Sequence, residues 1–149
     1  MKKREKSLWF LLLSHHGPSR LHRTFHLRVV GKDVYLCARC TGIFLGFITA
    51  FFLFSALSSA AAFVLMALFP LPTAADWVTQ TLGLRESKNW IRVGTGYLLG
   101  VAWGFFLSFL IGGNLKIFLY GLMVLAVYYG AIYTIARKTG MLRNYFHGR

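Results

Sequence analysis

The chain has 149 residues, of which 56% are hydrophobic and only 14% charged, and its net charge is +13. A soluble domain carries about 25% charged residues, and here the apolar residues gather into runs of near-bilayer length, so a soluble globular fold is set aside. The basic residues flank those runs and no nucleic-acid motif accompanies them, which argues against a nucleic-acid partner and for contact with membrane lipids, anionic headgroups included.

The N-terminus opens MKKREK, a basic start. The apolar stretch that follows, residues 8–13, is shorter than the roughly 7–15 residues of a signal-peptide core, and no small-residue cleavage site comes after it. The N-terminus is therefore expected to be retained. Residues 1–36 read as a basic interfacial segment, with Trp9 and Phe10 beside the lysines as membrane-interface anchors.

Residues 41–69 carry no charge. As one helix they would reach about 43 Å, against a hydrocarbon core of about 30 Å. Two helices joined at Leu57-Ser58-Ser59 are expected instead, with Pro70 and Pro72 kinking or breaking the second. Two plainer spans follow, separated by Gly112-Gly113-Asn114. The expected fold class is an all-α integral membrane protein. It is a single membrane domain over 1–149, a four-helix bundle with spans at about 40–57, 60–80, 91–111 and 115–136 and a basic tail over 137–149. Four spans place 16 of the 17 basic residues on one side, leaving only Lys116 on the other. By the positive-inside rule this means a multi-pass protein of the cell membrane with both termini cytoplasmic.

Gly96, Gly100 and Gly104 recur every fourth residue, as do Gly42 and Gly46. Small residues at this spacing let helices approach backbone to backbone, within the bundle or between copies in a homo-oligomer.

Both cysteines lie in one Cys-x-x-Cys, Cys37 and Cys40, at the start of the first span. Three meanings are open: half of a metal site, a redox dithiol, or packing alone. Zinc favours four nitrogen or sulfur ligands, and the leading expectation is zinc held by His15, His16, Cys37 and Cys40. His22 and His26 are the alternative donors, four apart and on one side if the segment is helical. Arg39 between the thiols, at a helix N-terminus, would favour thiolate.

The second informative stretch runs from residue 70 to 96. Asp76 and Gln80 share a helix face at i and i+4. Arg85, Asn89 and Arg92 would share another, with Thr95 one turn further in. Asp76 is the only acid inside the apolar segments, with Arg92 or Arg85 its expected partner. An ionisable group at membrane depth is a functional candidate by default. The bland alternative is an interhelical ion pair with snorkelling arginines. The functional reading makes Asp76, Gln80, Arg85, Asn89, Arg92 and Thr95 a polar pocket for an anion at the cytoplasmic face, gripped through guanidinium groups. The lead reading is thus a binding or accessory protein. The rivals are a metal-dependent enzyme on a lipid-linked or phosphate-bearing substrate, with Asp76 as catalytic base, and a small oligomeric transporter.

The segments SHHGPSRLHRTFHL, LCARCTGIFLG, PTAADWVTQ and LRESKNWIRVGTGYLLG resemble a family of small bacterial and archaeal membrane proteins known as domain-of-unknown-function family 2085. The resemblance implies that Arg23, Phe25, Cys37, Arg39, Cys40, Thr41, Gly42, Asp76, Gln80, Asn89, Arg92, Thr95 and Gly96 occupy motif positions. It carries no activity. Ser14 stands where many members have Cys, and Phe44 where Tyr is usual.

Overall fold

A computed structural model describes residues 22–29 and 32–140. It opens with two antiparallel strands, β1 (Thr24–Val29) and β2 (Lys32–Cys37). Five helical segments follow: α1 (Ala38–Phe54), α2 (Ser59–Leu68), α3 (Pro70–Thr81), α4 (Asn89–Ile111) and α5 (Leu115–Lys138).

The hairpin corrects the expectation of a purely helical chain. Its register pairs Phe25 with Leu36 and Leu27 with Val34 on one face. His26 faces Tyr35 and Arg28 faces Asp33 on the other. This is the period-2 alternation of a strand, with opposed residues sharing a face. His26 Nε2 lies 2.9 Å from Asp33 Oδ1, and its ring lies 4.9 Å from that of Tyr35. His22 precedes the strand and turns elsewhere, so the two histidines do not form a helix face.

β2 runs straight into α1. Cys37 keeps extended dihedrals (φ −61°, ψ 122°), and its carbonyl accepts the Thr41 hydroxyl at 3.0 Å. α1 has 17 residues, about 26 Å at 1.5 Å each, slightly under the hydrocarbon thickness. It ends at Ser55. Ser58 then caps α2, its side chain accepting the Ala61 N–H at 3.3 Å.

α2 and α3 form one apolar stretch of 23 residues, long enough to cross a membrane, as are α4 and α5. Phe69 at the joint keeps right-handed helical dihedrals (φ −63°, ψ −26°). Pro70 and Pro72 remove two N–H donors, which interrupts the hydrogen-bond ladder without reversing the chain. The described residues therefore form a bundle of one shorter and three long apolar helical stretches, as in a multi-pass membrane protein.

α1 and α4 run parallel and touch through backbone. A Cβ built on Gly46 would lie 2.0 Å from the Tyr97 carbonyl oxygen, and one on Gly100 would lie 2.0 Å from that of Ile43. Gly96 meets the Arg39 carbonyl in the same way. The glycine ridges thus face each other within one chain. The expected ridge for a homo-oligomer is taken up internally. Towards the end of α4, Phe105 and Phe109 are fully buried with Val101, Ala50 and Ala62. Phe54 packs edge-on against Phe109 at 5.1 Å. The apolar core therefore occupies one end of the bundle and leaves the other to polar groups.

Candidate functional site

The polar end gathers the start of α1, the end of α3, the α3–α4 loop and the start of α4. At its centre is Asp76, whose side chain is 1% exposed. A carboxylate so buried needs donors at both oxygens. Oδ1 accepts from Arg85 Nη2 at 3.0 Å. Oδ2 accepts from Gln80 Nε2 at 2.6 Å and from Arg39 Nη2.

Gln80 passes the network on. Its Oε1 accepts from Arg92 Nη2 at 3.1 Å, while Arg92 Nη1 donates to Asn89 Oδ1 at 3.2 Å. Asn89 Nδ2 in turn donates to the His22 carbonyl at 3.1 Å, tying α4 to the segment before the hairpin.

A second carboxylate, Glu86, lies in the α3–α4 loop. Its Oε1 is 2.6 Å from His22 Nε2, 3.2 Å from Arg23 Nη2 and 3.9 Å from Arg92 Nη2. These contacts hold its carboxyl below the ordinary range, the His22 hydrogen bond first and the Arg23 hydrogen bond next.

Charge is unbalanced in this cluster. Arg23, Arg39, Arg85 and Arg92 surround two carboxylates. Arg85 keeps 44% of its side chain exposed, and Arg39 keeps 23%. Arg39 Nε is buried and has no acceptor among the described residues. A buried unsatisfied donor costs about 1–3 kcal/mol, more on a charged group. The arrangement suits an incoming oxyanion.

The sequence-expected residues come together unequally. Asp76, Gln80, Arg85, Asn89 and Arg92 form one connected network. Arg85 reaches it from the loop, because α4 begins only at Asn89. The Thr95 hydroxyl turns back to its own helix, donating to the Ile91 carbonyl at 2.8 Å, while the Thr95 carbonyl accepts from Thr73 at 2.6 Å. Asp76 meets Arg39 and Arg85 directly and Arg92 only through Gln80. Sequence reasoning passed over Arg39 as its partner, named Arg23 only as a motif position implied by the resemblance, and passed over Glu86 altogether. Position i+2 in Cys-x-x-Cys suggested thiol chemistry, whereas the side chain points to α3.

The zinc expectation is corrected here. Among the described residues no three His, Cys, Asp or Glu side chains gather as a metal ion would require. Cys37 is buried at the end of a strand and Cys40 is exposed on the first turn of α1; their thiols contact each other, but no third His, Cys, Asp or Glu side chain joins them among the described residues. His22 and His26 are engaged with Glu86 and Asp33. His15 and His16 lie outside the described residues.

Fold and site together define a small multi-pass membrane protein with an arginine-rich polar cluster at one end of its bundle. A family model described as "Predicted membrane protein (DUF2085)" matches residues 19–106, and the chain belongs to this family. An uncharacterized protein of Methanothermobacter thermautotrophicus is 40% identical over 95 residues, covering 62% of this chain and 81% of that protein. An uncharacterized protein of Methanocaldococcus jannaschii is 32% identical over 98 residues, covering 61% of this chain and 58% of that protein. No solved structure matches the chain. The family match takes in the hairpin, α1, α2, α3 and most of α4. It stops before α5.

Proposed function

We propose that the protein is a membrane binding protein whose arginine cluster takes an anionic headgroup at the cytoplasmic face. One observation carries this reading: four guanidinium groups converge on only two carboxylates. Asp76 then acts as an anchor. Both of its oxygens are occupied by donors, and it fixes Arg39 and Arg85, whose side chains stay partly exposed. Guanidinium groups held in this way are pre-organised for a phosphate or carboxylate. The cytoplasmic placement rests on the positive-inside rule with four membrane crossings.

Glycerol 3-phosphate serves as a soluble probe of the headgroup site, with uncharged glycerol as its control. A ligand that binds only the folded state raises the unfolding temperature as its concentration passes Kd. In detergent, glycerol 3-phosphate is expected to stabilise the wild type in a salt-sensitive way, and Arg85→Gln is expected to lose most of that effect. Equal shifts with glycerol, or an undiminished shift in Arg85→Gln, would overturn the reading. Reporter fusions after Ser59 and after Arg149 test the topology, which requires them to lie on opposite sides of the membrane.

A further inference from the structure

Beside the arginine cluster lies an apolar groove of about 380 Å³, walled by α2, α3, α4 and α5. Met66, Trp77, Trp103, Phe106 and Val124 are among its lining residues. Its size falls within the range of sites that hold a small molecule. Among the described residues Arg39 is the one charged residue in its lining. The other polar groups there are largely engaged: the Thr73 hydroxyl donates to the Thr95 carbonyl at 2.6 Å, and Tyr128 donates to the Ala67 carbonyl at 2.6 Å. Arg39 therefore belongs both to the groove and to the polar cluster, and its buried Nε has no acceptor among the described residues.

We infer that the groove holds a hydrocarbon chain of the same molecule whose anionic head meets the arginines. The ligand class is an anionic membrane lipid, with its phosphate at Arg39 and Arg85 and one chain lying between α3 and α5. This deepens the headgroup reading and rests on it. Three features of the site favour a lipid over a soluble anion. The groove starts at the charged group rather than apart from it. Its walls are mostly hydrocarbon and aromatic rings, which offer a sugar or a peptide few hydrogen bonds. Arg39 both lines the groove and pairs with Asp76, so a guanidinium stands where a phosphate would follow a chain. The far wall comes from α5, outside the family match, so the shape of the chain site is set by a part of this protein that the family pattern does not cover.

Native mass spectrometry of the detergent-purified protein tests this with three probes. Lysophosphatidic acid has one chain and one phosphate, glycerol 3-phosphate has the head alone, and monoacylglycerol has the chain alone. Wild type is expected to bind one lysophosphatidic acid at least about tenfold more tightly than either fragment-like probe. Val124→Trp, which fills the groove from α5, should abolish the advantage of the chain and leave glycerol 3-phosphate binding unchanged. Ala74→Phe narrows the groove from α3 and should do the same, which covers the case of a misfolded α5 variant. If lysophosphatidic acid binds no better than glycerol 3-phosphate, the groove proposal is overturned and the headgroup reading stands. If monoacylglycerol binds as tightly as lysophosphatidic acid, the headgroup reading fails and the proposal with it. Undiminished lysophosphatidic acid binding in both groove variants also overturns it.

Discussion

Arg39 donates to Asp76 across 37 residues of chain, joining the first turn of α1 to the last turns of α3. Asp76 holds Arg85 through its other oxygen, so one buried carboxylate fixes two cations from different elements. Removing one partner of a buried ion pair costs about 3–5 kcal/mol, because the remaining charge stays in a poor solvent. Asp76→Ala is expected to destabilise the bundle by about that amount. Asp76→Asn, which keeps the shape and an acceptor oxygen, should cost less. Thermal unfolding in detergent provides the comparison. Equal stability of all three proteins would mean that the pairs contribute nothing to the fold.

The α1–α4 contact makes a second expectation. Gly100 leaves no room for a side chain: its Cβ would sit 2.0 Å from a backbone oxygen of α1. Gly94, two turns nearer the start of α4, has no atom within 4 Å of the same position. Gly100→Val should therefore cost more than about 4 kcal/mol, in the rare tail of single-substitution effects. Gly94→Ala should be neutral or stabilising by up to about 1 kcal/mol through helix propensity. The yield of monodisperse protein and its unfolding temperature distinguish the two. A tolerated Gly100→Val would show that the helices can separate at no cost.

Helix periodicity carried much of this structure into the sequence. Asp76 and Gln80 are bonded as their i, i+4 spacing requires, and Gly42, Gly46, Gly96 and Gly100 interlock as a small-residue ridge should. Both relations are local in one helix or follow from helix geometry. The hairpin was hidden by reading the basic charges of TFHLRV and KDVYLC before their alternation. His26 and Arg28, which suggest a headgroup-facing segment, share one face of the two-stranded sheet with Asp33 and Tyr35. Arg39 was obscured differently. Its partner is set by how α3 packs against α1, and no spacing within the chain reports that. Glu86 had no local signal, since its nearest partners, His22 and Arg23, come from a segment more than sixty residues away and the nearby Arg92 reaches it only at 3.9 Å.

Tyr128 links α5 to the rest of the bundle. Its hydroxyl donates to the Ala67 carbonyl at 2.6 Å, beside the proline-interrupted joint of α2 and α3. Hydrogen bonds between membrane helices average about 0.6 kcal/mol and reach about 1.7 kcal/mol. Tyr128→Phe is expected to fall in that range, with loosening confined to α5. Cysteine accessibility along α5 should rise in this variant while that along α4 stays unchanged. A uniform rise along both helices would contradict a local role.

Glu86 supplies a pH dependence whose sign follows from its environment. His22 first and Arg23 second hold its carboxyl below the ordinary value of 4.5. A depressed carboxyl contributes stability that is complete above its unfolded value and is lost as pH falls through its lower folded value. At neutral pH the loop therefore stays fastened to His22 and Arg23, and acid below about 4.5 releases it. Its side chain is 60% exposed, so the fastening is local and the bundle survives its loss. Glu86→Gln should raise amide hydrogen exchange in residues 22–29 at pH 7, relative to α4, and wild type should approach the variant as pH drops under 4. The same variant removes a carboxylate that competes for Arg23 and Arg92, so it should bind glycerol 3-phosphate more tightly at neutral pH. Weaker phosphate binding in Glu86→Gln would mean that Glu86 positions the arginines instead of occupying them.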